Sequence, residues 1–177
     1  MTKYLLYARK STDEDDRQVL SIQSQLTELR QLAAREGLEV VEEFIESRTA
    51  KEPGRPLFDK MVAKLENGLG GHGILAWHPD RLARNSVDGG KVIYLVDTGK
   101  IAALKFPTFW FENTPQGKFM LNIAFGQSKY FVDNLAENVH RGIREKLRRG
   151  EKFGLAPYGY LNDVRTKKTV KDPHLAP

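Results

Sequence analysis

Four short apolar runs, Tyr4 to Ala8, Val40 to Ile45, Gly73 to Trp77 and Ile101 to Phe106, are separated by stretches whose apolar residues recur at helical spacing. This alternation restricts the fold more than any other feature of the chain. Between the first two runs, Ile22, Leu26, Leu29 and Ala33 fall at i, i+4, i+7 and i+11, and Gly37 supplies a stop. Leu57, Met61 and Leu65 mark a second helix ending near Gly68, and Val92, Ile93, Leu95 and Val96 mark a third closed by Gly99. Strands alternating with helices of this length form βαβ units, so the chain is expected to be α/β, with a mainly parallel central sheet flanked by helices.

The last helical pattern is of another kind. It runs from about Gln116 to Arg149 without a proline, with only Gly126 and Gly142 as weak points. Some 34 residues at 1.5 Å each make a rod of roughly 50 Å, more than a compact domain of this size needs. A long projecting C-terminal helix is therefore expected, with Leu135, Val139, Ile143 and Leu147 as an apolar stripe and arginines on its other faces. After Gly150, prolines and glycines in Lys-Phe-Gly-Leu-Ala-Pro-Tyr-Gly-Tyr-Leu read as a linker followed by a basic tail. The expected division is a catalytic α/β domain over 1–115, the long helix over 116–150 and a linker over 151–177.

Composition narrows the chemistry. With 177 residues and 40% hydrophobic content the chain can bury a sizeable core. It has no cysteine, which excludes disulfides and a thiol nucleophile and suits a reducing, cytoplasmic setting. The four histidines, His72, His78, His140 and His174, are scattered, so neither a metal nor a cofactor is expected. No apolar run reaches membrane-spanning length, and no membrane partner is expected. Of a net charge of +5, +4 lies between His140 and Lys152, where Arg141, Arg144, Lys146, Arg148, Arg149 and Lys152 oppose only Glu145 and Glu151. Such a run is either a solvated helix end or a surface for a polyanion.

Arginines fall where an open parallel sheet binds ligands, at the carboxyl ends of its strands. Arg9 and Ser11 close the first strand on one side of it, two residues apart. Arg55 stands in Pro-Gly-Arg-Pro, and Arg81 and Arg84 stand in Trp77-His-Pro-Asp-Arg-Leu-Ala-Arg-Asn85, directly after the third strand. A guanidinium is always charged and matches phosphate oxygens two at a time, so several together form a phosphate cage. A serine beside such a cage, with no histidine evident as its base, points to attack on phosphorus rather than on a carbonyl. Bland readings stand beside each assignment. Ser11 before Thr12-Asp13 suits a turn or cap, Asp80 suits an ion pair with Arg81, and His78 before Pro79 suits a structural role.

Taken together the motifs resemble the serine recombinases, the resolvase and invertase group. Tyr7-Ala-Arg9-Lys-Ser11-Thr12 is similar to the family's Tyr-x-Arg-x-Ser-Thr signature, and Asp80-Arg81-Leu82-Ala-Arg84 to its Asp-Arg-Leu-x-Arg signature. Gly54-Arg55-Pro56 resembles the arginine-bearing loop of its larger members, as Ala156-Pro-Tyr-Gly-Tyr-Leu161 resembles their entry into DNA-binding domains. The resemblance implies a resolvase-like fold and the catalytic part of a longer protein. It also implies metal-independent transfer in which Ser11 attacks a DNA phosphodiester, leaving a 5′-phosphoserine link and a free 3′-hydroxyl before strand exchange and rejoining. Arg9, Arg81 and Arg84 would hold the phosphate, Arg55 would assist, and Asp80 belongs to the second signature. Where the family places a glutamine four residues after the serine, Asp15 stands; Gln18 is the nearest substitute, and Gln25 matches a second glutamine. The family's Glu-Arg pair on the long helix reads Glu137-Asn138. The implied partners are double-stranded DNA, met by the basic helix end, and further copies of the chain, met by the helix as a dimer and synaptic tetramer. A non-catalytic DNA-binding or assembly module of the same fold is the alternative. A flavodoxin-like signalling domain or a metal-dependent nuclease would need acidic clusters at the strand ends, where arginines stand instead.

Overall fold

The computed structural model describes residues 2–9, 22–68, 71–166 and 168–175. Two of the sequence-read site residues, Ser11 and Gln18, lie outside them. The described chain forms two compact units, Met1–Val132 and Asp133–Pro177.

The first unit is built on a four-stranded parallel sheet of β1 (Lys3–Arg9), β2 (Glu39–Glu46), β3 (His72–Ala76) and β4 (Ile101–Lys105), in the order β2-β1-β3-β4. Helices α1 (Ile22–Glu36), α2 (Pro56–Asn67) and α4 (Ser86–Asp97) connect the strands, and a short helix α3 (Pro79–Leu82) follows β3. β1 is central and buried from Tyr4 to Arg9. Its side chains alternate between two cores, as a period of two requires. Leu5 and Tyr7 join Phe44, Phe58, Met61, Ile74 and Val92 under α2 and α4, while Tyr4, Leu6 and Ala8 join Leu26, Leu29 and Leu32 of α1. Each such buried side chain stabilises the sheet by about 1.5–3 kcal/mol. The same alternation that buries Leu5 and Tyr7 carries Arg9 to the α2 and α4 side, at zero exposure.

The four expected strands and three connecting helices are present. Gly37 ends α1 at φ +63°, with Leu38 N–H donating to Ala33 O at 2.8 Å across the turn, the left-handed stop that glycine adopts without strain. Gly68 ends α2 differently, in extended backbone at φ −69°, its N–H donating to Lys64 O. The long helix is α5 (Pro115–Arg148), beginning in the first unit, where Leu121, Ala124 and Phe125 are buried, and continuing into the second. Gly117 lies in its first turn so close to the Glu112 carbonyl oxygen that a Cβ there would collide with it.

Three elements were not expected. α3 has four residues, too few to show a periodicity. In the second unit, the segment read as a linker and tail carries a two-stranded antiparallel sheet, β5 (Tyr160–Asn162) and β6 (Thr169–Lys171). Its connecting turn is held by Asp163, which accepts from Arg165 N–H at 2.9 Å and Thr166 Oγ1 at 2.6 Å.

Candidate active site

The C-terminal ends of β1 and β3 are adjacent, because these strands pair from Lys3–His72 to Tyr7–Ala76. Two residues beyond β3, His78 caps α3, its Nδ1 lying 3.2 Å from Asp80 N, and Pro79 takes the first helical position, where its missing N–H costs nothing. This short turn sets three charged side chains at the sheet edge. Arg81 is 5% exposed, with its guanidinium 5.8 Å from the Trp77 ring centre. Arg84 donates from Nη2 to Asp80 Oδ2 at 3.2 Å, and its backbone N–H donates to Ala50 O at 3.2 Å. Asp80 thus sits among His78, Arg81 and Arg84. Burial raises its carboxyl, but the hydrogen bond with His78 and the charges of Arg81 and Arg84 outweigh that and bring it down to about 2.

Arg9 reaches this turn from β1, donating from Nε to Arg81 O at 3.3 Å and from Nη1 to Arg48 O at 3.4 Å. Its buried Nη2 has no hydrogen-bond partner among the described residues. Gln25, buried on α1, donates to the Arg9 carbonyl at 3.2 Å and so fixes the end of β1. Burial, followed by the neighbouring charges of Arg84 and Arg81, lowers Arg9 to about 10. Guanidiniums gathered this closely repel one another, and an anion entering among them relieves that repulsion.

Arg55 is held elsewhere. It is 1% exposed, donating from Nη1 to the Tyr7 hydroxyl at 2.7 Å and from Nη2 to Leu82 O and to Asp88 Oδ2, the last at 2.9 Å. Its guanidinium also lies 4.0 Å from the Phe58 ring centre. Asn85 completes the group, donating to Asp88 Oδ2 at 2.8 Å and to Ala50 O at 3.1 Å while accepting from Asp88 N–H at 2.9 Å. Burial pushes the Tyr7 hydroxyl well above its usual range, so it stays neutral. Arg55 therefore ties β1, the end of α3 and the start of α4 together, turned inward rather than toward the other arginines.

Sequence reasoning passed over Asn85, Asp88 and Glu46. The first two form an Asn-x-x-Asp pair opening a helix, a legible capping signal. Glu46 accepts from Ser47 N–H at 3.2 Å and Leu57 N–H at 3.1 Å, positioning the loop that carries Arg55; nothing in the sequence marks it.

Beside the cage a half-open cleft of about 560 Å³ is lined by His78, Asp80, Arg84, Phe109, Gln127 and Phe131, among others. In the second unit, Arg141, Arg144, Lys146, Arg148, Arg149 and Lys152 are all exposed. Glu145 pairs with Arg149 at 3.3 Å and with Arg148 at 3.9 Å, but exposed pairs of this kind are worth at most about 1 kcal/mol and leave the surface positive. Among the described residues, no helix is long and apolar enough to cross a membrane.

Comparison with known proteins places these features in context. Residues 4–152 match the family model described as Resolvase, N terminal domain. The serine recombinases PinR and PinQ of Escherichia coli (strain K12) are each 29% identical over 121 residues, covering 67% of this chain. The chain spans 59% of the length of these curated relatives. Among solved structures, the N-terminal catalytic domain of TP901-1 integrase aligns with a TM-score of 0.54 at 21% identity, covering 75% of this chain and 98% of that one. The C-terminal catalytic domain of ISC1926 TnpA, an IS607-like serine recombinase, aligns at 0.52 and 16%, covering 78% and 99%. At these identities the likeness is one of fold: a mainly parallel sheet flanked by helices and followed by a long helix.

Proposed function

This chain belongs to the family of resolvase N-terminal domains, and from that premise we propose that it is the catalytic part of a site-specific DNA recombinase. Ser11 attacks a DNA phosphodiester and becomes linked to the 5′ phosphate, and the 3′ oxygen departs as a hydroxyl. Covalent capture conserves the phosphodiester, so strands are exchanged and rejoined rather than hydrolysed. Arg9, Arg81 and Arg84 receive the phosphate and stabilise the charge that gathers on its non-bridging oxygens. Asp80 positions Arg84, and Gln25 positions the strand end that leads to Ser11. Arg55, expected from the sequence to assist at the phosphate, is assigned instead to positioning, since its fork is spent on Tyr7, Leu82 and Asp88. Gln18 is kept as a candidate near the nucleophile from its sequence position alone.

One observation carries the reading. Arg9 is wholly buried, with an Nη2 that has no hydrogen-bond partner among the described residues and with its charge destabilised by burial and by Arg84 and Arg81, an arrangement that costs stability and suits a site that receives an anion. The basic end of α5 supplies the contacts to double-stranded DNA. Its first half exposes Phe119, Met120, Ile123, Tyr130 and Phe131, an apolar surface suited to self-association as a dimer and then a synaptic tetramer.

The test is covalent capture on a DNA substrate that cannot be rejoined after cleavage. Wild-type protein is expected to form a protein–DNA adduct with EDTA present, and Ser11→Ala to form none while still binding DNA. An adduct from the alanine variant, or none from the wild type on a cognate site, overturns the reading.

A further inference from the structure

The imidazole beside the cage has no part in the chemistry so far. His78 follows β3 by two residues, as Ser11 follows β1 in the sequence, and the two strands are neighbours. Its side chain is about a third exposed and lines the cleft with Arg84, Gln127 and Ser128. The ring is held on both sides: the Phe109 ring stands edge-on at 6.0 Å between centres, and Trp77 lies at 6.4 Å. Nδ1 is within 3.1 Å of Asp80 Oδ1 and 3.2 Å of Asp80 N. It can donate to the carboxylate or accept from the amide, never both at once. When it donates, the ring sits against an ionised carboxylate, and Nε2 is the nitrogen left to act in the cleft that the residue lines. Nε2 takes no hydrogen bond among the described residues.

Among the described residues, the charged groups facing this ring are Asp80 and Arg84; α5 presents the uncharged Gln127 and Ser128 across the cleft, and the loop after β4 presents Phe109. A phosphate held by Arg84 is therefore within the same cleft as Nε2. In-line displacement at phosphorus requires the departing oxygen opposite the attacking one. That oxygen needs a proton, and among the described residues that line the cleft His78 carries the one imidazole, while Asp80 is held as a carboxylate.

We propose that His78, oriented by Asp80, is the general acid that protonates the departing 3′ oxygen, and the general base that takes the proton back during rejoining. This rests on the recombinase reading. In cleavage the Ser11 Oγ–P bond forms as the P–O3′ bond breaks. The His78 Nε2 proton passes to O3′, giving the 3′-hydroxyl, and the Ser11 hydroxyl proton passes to water. The proton that Ser11 releases balances the one that His78 gives, and His78 is left as the neutral imidazole. In rejoining, that imidazole accepts the 3′-hydroxyl proton as the 3′ oxygen attacks phosphorus, the Ser11 Oγ–P bond breaks, and Ser11 Oγ takes its proton from water.

The test compares His78→Asn with the wild type on two DNA substrates that differ only at the bridging 3′ atom of the scissile phosphate, oxygen in one and sulfur in the other. Asparagine can still accept from Asp80 N–H and cap α3, which keeps Arg81 and Arg84 in place. A bridging thiolate leaves without protonation. The variant is expected to cleave the oxygen substrate about 100- to 10,000-fold more slowly than the wild type and to cleave the sulfur substrate within a few-fold of it. A purely structural role slows both substrates alike, and that result overturns the proposal, as does full activity of His78→Asn on the oxygen substrate. Absence of any adduct from the wild type on both substrates overturns the recombinase reading itself, and this assignment with it.

Discussion

The Arg55–Asp88 pair offers the sharpest energetic test of the scaffold. Side-chain exposures of 1% and 3% and a separation of 2.9 Å make it a buried ion pair, and each partner has further bonds, Arg55 to Tyr7 and Leu82 and Asp88 to Asn85. Removing one member of such a pair strands a buried charge and costs about 3–5 kcal/mol, while replacing both with apolar groups of similar size costs far less. Asp88→Leu and Arg55→Met are each expected to lose that amount, and the double variant to lose clearly less than the sum of the two. With a urea dependence of about 2 kcal/mol per M, each single substitution moves the unfolding midpoint down by roughly 2 M. The assay is urea unfolding of all four proteins, read as a double-mutant cycle. Additive losses, or a single variant costing under about 1 kcal/mol, would refute the view that Arg55 is a tie between β1, α3 and α4.

Three further outcomes follow from other parts of the structure. Asp80 titrates at about 2 in the fold against an ordinary 3.8; a lowered carboxyl contributes stability above its unfolded value, so about 2 kcal/mol is present at pH 5 and lost as pH falls from 4 through 2. Unfolding midpoints against pH should show that loss in the wild type and not in Asp80→Asn. Arg9 is lowered to about 10, below the ordinary range of a guanidinium, so its charged form is penalised by folding below that pH, and Arg9→Met should keep or raise the unfolding midpoint at pH 7 while abolishing adduct formation; a loss above about 1.5 kcal/mol, the worth of a good hydrogen bond, would contradict this. Six phosphate contacts at the basic end of α5 and the residues just after it predict a slope near −5 for log affinity against log salt, and neutralising Arg148 and Arg149 together should flatten it by nearly two, as read from DNA binding across a salt series.

How much of this was legible follows from where each signal is stored. The strands of the sheet announce themselves because β1 and β3 are covered on both faces and read as apolar runs, and α5 was legible to within a residue at each end because 34 residues give periodicity many turns to accumulate. α3 and the β5–β6 hairpin are too short for that; only local motifs, not period, could have found them. The arginines were legible as residues but not as roles. Nothing in Pro-Gly-Arg-Pro says that Arg55 turns toward an aspartate 33 positions away rather than toward a ligand, because that choice is made by the packing of Tyr7 and Phe58 around it. His78 is a similar case. A lone histidine before a proline reads as structural until Asp80, Phe109 and a cleft are seen around its ring.

In the proposed recombinase, the two groups of arginines divide the work between holding and reacting. Arg55 is neutralised by Asp88, and its network joins the three elements whose ends define the site. That tie fixes the positions of Arg9, Arg81 and Arg84 against their mutual repulsion, so the cage is preorganised before any anion arrives. A surface cage of flexible arginines would collapse outward into water and would have to be ordered by its ligand, at about 1.5–2 kcal/mol of side-chain entropy for each residue. Here Arg9 and Arg81 are already buried, and the cost of assembling them is carried by the fold. On the proposed mechanism, the binding energy of an entering phosphate is then left to act on the reaction rather than on ordering the site, which is the condition under which fixed cations favour a transition state over a ground state.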